Sequence, residues 1–135
     1  MKELTVNARR ESLLEIKAFV GAALEETACP EITQKQLYIA IDEIFANIAN
    51  YAYEGAEGSV TVRFEVVSEP RAAVLTFLDN GVPFDPLEMK SPDTSLKASE
   101  RKIGGLGIFM VRKLMDEVSY EYSDGKNVLT LRKMF

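Results

Sequence analysis

The chain has 135 residues, 47% hydrophobic and 27% charged, with a formal net charge of −5, one cysteine and no histidine. That length can bury a sizeable core as one domain, residues 1–135, and the acidic balance lacks the footprint of a nucleic-acid binder. The missing histidine excludes a histidine triad, a histidine-ligated metal and a phosphohistidine relay within these residues. No run approaches the roughly 18 apolar residues of a membrane span, and Met1 to Glu11 carries no signal-peptide pattern. Cys29 has no internal partner, which suits a reducing compartment. A cytoplasmic protein away from membranes is expected.

In chain order, Leu4 to Asn7 reads as a short strand. Ser12 with Glu15 forms a capping-box pattern, and Leu13, Ile16, Val20 and Leu24 give the helix behind it one apolar face, to about Glu26. Pro30 breaks the chain, and Thr33 with Gln36 repeats the box pattern before a helix over Gln36 to Tyr53. On that helix Leu37, Ile41, Ile44 and Ile48 draw an apolar stripe. Glu43, Asn47 and Asn50, at i, i+4 and i+7, stack as a second, polar line, flanked by the small residues Ala40, Ala46 and Ala49. This line is either a solvated face or a ligand face with room beside it.

Gly55 and Gly58 end the helix. Val60, Val62, Phe64 and Val66 alternate as a half-buried strand, Glu69-Pro70-Arg71 turns, and Ala73 to Leu78 is the apolar run of a central, antiparallel neighbour. Asp79 to Ile103 has no periodicity and holds Pro83, Pro86 and Pro92; its length predicts a lid over about 82–103. Ile108, Val111 and Met115 restore a helical period. Val118, Tyr120 and Tyr122, the Asp124-Gly125 turn and Asn127 to Arg132 then form a closing hairpin.

Two glycine segments frame the predicted lid. In LDNGVPFDP, Asp79 ends the apolar strand two residues before Gly81. This is either a strand-ending turn, or a carboxylate aimed at a donor such as the exocyclic amine of adenine, with Gly81 allowing close backbone approach. In KIGGLGIFMVRKLM, Gly104, Gly105 and Gly107, with Leu106 between them, precede an apolar helix. Free N–H groups there, with the helix dipole behind them, bind phosphate; the plainer alternative is a flexible entry to a core helix. The spacing fits neither a P-loop nor a Rossmann fingerprint.

In this order and at this length, DEIFANIANYAY, DNGVPFDP and GGLGIFMVR resemble the N-box and the two glycine boxes of GHKL (Bergerat-fold) ATP-binding domains. Within that group the chain is most similar to bacterial anti-sigma-factor serine-protein kinases. The resemblance implies an α/β (α+β) two-layer sandwich: a mostly antiparallel, mixed sheet of about five strands with three helices on one face. It implies ATP and Mg²⁺ as cofactors. Glu43 would be general base, and Asn47 the Mg²⁺ ligand with Asn50 beside it. Asp79 and Gly81 would hold adenine, and Gly104, Gly105, Leu106 and Gly107 the phosphates. Thr130 would support the adenine contact, unless it is an ordinary strand residue. Arg101 and Lys102 would reach the γ-phosphate, unless they are a solvated pair.

Two positions depart from the family pattern. Asn50 stands where several kinases of the group carry histidine, and Pro83 replaces the second glycine of the first box. The implied function is a serine/threonine-protein kinase that phosphorylates a small anti-anti-sigma (STAS-type) protein in a partner switch. A sigma factor is a further partner, and a homodimer is expected. The alternative is an ATP-binding module that sequesters a partner without transferring phosphate. An ATPase of the chaperone or mismatch-repair type is disfavoured, because those use additional domains.

Overall fold

A computed structural model describes residues 1–53, 56–88 and 105–135, with only the backbone described for Gly105 and Leu106. The elements are β1 (Lys2–Asn7), α1 (Leu13–Glu25), α2 (Glu31–Asn47), β2 (Ser59–Val67), β3 (Ala72–Asp79), α3 (Gly105–Leu114), β4 (Glu117–Ser123) and β5 (Lys126–Met134). Short 3₁₀ turns lie at Arg10–Ser12 and Pro86–Glu88, and a π turn at Ile48–Ala52 continues α2.

The sheet order is β1-β2-β3-β5-β4, and every pairing is antiparallel. The expected sheet was only mostly so. Two helices between β1 and β2 bring the chain back to the end where β1 finished, so β2 runs the other way. The passage through α3 starts β4 in the direction of β3, but β5 inserts between them and removes the parallel contact.

Alternation along the strands decides which face is covered. Val60, Val62 and Phe64 of β2, Leu75 and Phe77 of β3, and Leu129 and Leu131 of β5 share one face. They join Ile16, Val20 and Leu24 of α1, Leu37, Ile41, Ile44 and Phe45 of α2, and Ile108 and Val111 of α3 in one buried cluster. Full burial of side chains of this size contributes about 1.5–3 kcal/mol each, so this layer dominates the fold's stability. The opposite face is mixed, with half-buried Val74, Leu78 and Val128 beside polar pairs: the Thr5 and Thr61 hydroxyls share a 2.9 Å hydrogen bond, and Arg63 pairs with Glu3 at 2.7 Å.

Two helix starts differ from expectation. Ser12 does precede α1 but makes no side-chain cap, because the 3₁₀ turn before it already places it in helical conformation. Helix α2 starts at Glu31, ahead of Thr33, and Thr33 is buried inside its first turns. Pro30 stands just outside that start in extended backbone (φ −58°, ψ 145°). It is compatible with a helix start because the donor it lacks has no intrahelical partner there. Gly55 lies outside the described residues.

Candidate functional site

The C-terminal end of β3 lies beside the N-terminal end of β5, with Asp79 opposite Asn127. A cavity of about 30 Å³ opens there, between the strand ends and the last turns of α2. Asp79, Asn127 and Tyr120 line it from the sheet, Asn47 and Ile44 from α2, and Phe84 from the segment after β3. Its size suits about one water.

Asp79 is only 5% exposed. Its Oδ1 accepts from the N–H of Gly81 and from the Nδ2 of Asn127, both at 2.9 Å. Among the described residues its Oδ2 receives no hydrogen bond. A carboxylate this deep is costly unless its oxygens are matched, and the two donors on Oδ1 offset part of that cost. Gly81 has no alternative residue: a Cβ there would collide with the carbonyl of Ala52, whose oxygen accepts from Val82 N–H at 2.8 Å. The Tyr53 hydroxyl accepts from Asn80 N–H at 2.9 Å and donates to Ser59 O.

Asn47 is 9% exposed, and its Nδ2 is fully buried without a partner among the described residues. Glu43, four residues earlier on the same line of α2, meets the first turn of α3, where a Cβ on Gly107 would collide with its carboxylate. A negative group at a helix start is favoured by the dipole. Gly105 is the first residue of that helix, with Leu106 next. Gly104, Arg101, Lys102 and the predicted lid beyond Glu88 lie outside the described residues.

Two expected site residues are elsewhere. Asn50 is exposed and borders a separate groove of about 290 Å³ with Arg9, Arg10, Asp42, Ala46 and Ala49. The π turn at Ile48–Ala52 has more residues per turn than an α-helix; it rotates Asn50 off the line of Glu43 and Asn47. The room beside Ala46 and Ala49 therefore belongs to that groove. Thr130 lies on the outer face, between Thr76 and Ser119. Strand alternation puts it there, because Leu129 and Leu131 on either side point into the core.

The residue opposite Asp79 is Asn127, which the motif comparison passed over. The alternation of Asn127, Leu129 and Leu131 was the available signal that it faces inward. Tyr120 completes the cluster by donating its hydroxyl to Asn127 Oδ1. Burial, aided by the negative charges of Asp85 and Asp79, pushes the Tyr120 phenol above its ordinary range. Burial raises Tyr53 as well, with Asp79 adding to it. Both phenols therefore remain donors.

A sheet covered on one face by three helices, with a buried strand-end carboxylate facing an asparagine of the central helix, defines a sandwich of the GHKL ATPase kind. The chain belongs to the histidine kinase-like ATPase domain family, whose model matches residues 6–133. It is 32% identical over 100 residues to the serine-protein kinase RsbW of Listeria monocytogenes, an alignment covering 70% of this chain and 62% of that relative. It is 27% identical over 131 residues to serine-protein kinase RsbW of Bacillus cereus, covering 94% and 81%. The family and these relatives agree with the resemblance drawn from the three motifs.

Proposed function

We propose that the chain is an ATP-dependent serine/threonine-protein kinase and anti-sigma-type regulator, with a small anti-anti-sigma (STAS-type) protein as phosphate acceptor. The observation that carries the reading is one cavity lined by the buried carboxylate of Asp79 and by Asn47, whose buried Nδ2 has no partner among the described residues. In this reading Asp79 accepts the adenine amino group. Gly81 lets the base approach the backbone, and the start of α3 at Gly105 to Gly107 faces the phosphates.

Among the described residues no three acidic or cysteine side chains group as a metal site. The Asn47 carboxamide still fits Mg²⁺, which takes few protein oxygens and shares itself with phosphates. A half-turn of the amide exchanges its oxygen and nitrogen. When bound, the ion neutralises charge on the phosphates. Glu43 accepts the proton of the acceptor's hydroxyl as its oxygen bonds to the γ-phosphorus. The bond to the bridging oxygen breaks, giving a phosphoserine and ADP. A cytoplasmic homodimer with a sigma factor as a further partner belongs to the same proposal.

The test is transfer from labelled Mg-ATP into a lysate of the source organism, run beside Glu43→Ala. We expect a small labelled phosphoserine protein, reduced roughly a hundredfold or more by the substitution. ATP binding without label would replace the kinase by a sequestering module that holds its partner without transfer. Absence of nucleotide binding would remove both.

A further inference from the structure

Asn127 is 5% exposed, and its side chain is saturated. The Nδ2 donates to Asp79 Oδ1 at 2.9 Å and to Val82 O at 2.8 Å. The Oδ1 accepts from Phe84 N–H at 3.0 Å and from the Tyr120 hydroxyl. A carboxamide offers two donors and two acceptor positions, so nothing is left over for a ligand. Its partners come from three places: the end of β3, the segment after it, and β4.

We propose that Asn127 is a positioning residue that makes base discrimination and the wall of the cavity one unit. A carboxylate's last torsion is broad and two-fold; left alone, Asp79 would present either oxygen to the cavity. The bond from Asn127, together with that from Gly81 N–H, holds Oδ1 back and leaves Oδ2 as the acceptor for a 6-amino purine. The same carboxamide fixes the backbone of Val82 and Phe84, whose ring lines that cavity. Loosening one therefore loosens the other. Tyr120 orients the carboxamide, because a bond from an O–H can be made only by its oxygen.

This inference rests on the nucleotide-binding reading, and its test separates the two. Binding of ATP is compared with that of purine riboside triphosphate, which lacks the 6-amino group, in the full chain, in Asn127→Ala and in the milder Tyr120→Phe. The parent is expected to prefer ATP roughly ten- to a hundredfold, the worth of a hydrogen bond to a charged acceptor. Asn127→Ala should reduce that preference to within about threefold, and Tyr120→Phe should lower it by a smaller factor. Thermal unfolding reports whether each variant is folded, and Tyr120→Phe decides if Asn127→Ala is not.

A purely structural asparagine would weaken both nucleotides equally and leave the ratio unchanged in folded variants. That outcome overturns the proposal while the nucleotide site stands. A parent that binds neither nucleotide overturns both.

Discussion

Two turns of this chain use the same residue types for different ends. Asp124-Gly125 joins β4 to β5 with φ values of 54° and 75°, and a Cβ on Gly125 would meet nothing within 4 Å. It is an exposed hairpin turn, and backbone geometry accounts for it completely. Asp79-Asn80-Gly81 also ends a strand, but its carboxylate is buried and its glycine abuts the Ala52 carbonyl. Two tyrosine hydroxyls hold its surroundings, Tyr53 directly on Asn80 and Tyr120 through Asn127. A turn made only to reverse the chain needs neither the burial nor the bracing, which supports the proposed role of the second turn in binding.

The two turns should differ most at their glycines. Gly81→Ala should cost about 3 kcal/mol, because a methyl must displace backbone in a filled space. Gly125→Ala has room and should cost about 1 kcal/mol for its left-handed conformation. Urea unfolding of the two variants checks the order; equal losses would mean that the buried turn is no more constrained than the exposed one.

Aspartates come next. Asp79→Asn keeps the shape and should lower ATP affinity roughly a hundredfold, at the upper end for a charge-assisted hydrogen bond. Asp124→Asn should leave affinity unchanged and stability within about 0.5 kcal/mol. Calorimetric titration with ATP reads the first and thermal unfolding the second.

The smallest effect is alkaline. Tyr53 and Tyr120 have pKa values raised above the ordinary 10.0 in the folded chain. The unfolded state therefore loses these protons first as pH rises. The stability the phenols contribute is complete below pH 10 and is lost as pH climbs through their raised folded values. Unfolding at pH 8 and pH 11 should show this loss, and Tyr53→Phe with Tyr120→Phe should flatten it.

Much of this fold is legible along the chain. The alternation Val60-Val62-Phe64 and the run Ala73 to Leu78 are strands because one or both faces are buried, and each is a strand here. The apolar stripe Leu37-Ile41-Ile44 is the buried face of α2 for the same local reason. Asp79 and Gly81 were identifiable as a pair, and so were Glu43 and Asn47, since one turn of α-helix is all their alignment needs.

The elements, their apolar faces and the family motifs can all be read along the chain, because helical and strand periods are local. The rest depends on contacts between distant segments. Asn50 left the polar line when the helix widened at Ile48–Ala52, a change the even spacing of the residues does not announce. The partner of Asp79 is Asn127, because pairing across 48 residues is set by strand order and register. The parity of β5 says which residues face inward; only the neighbouring strand says which of them reaches the carboxylate.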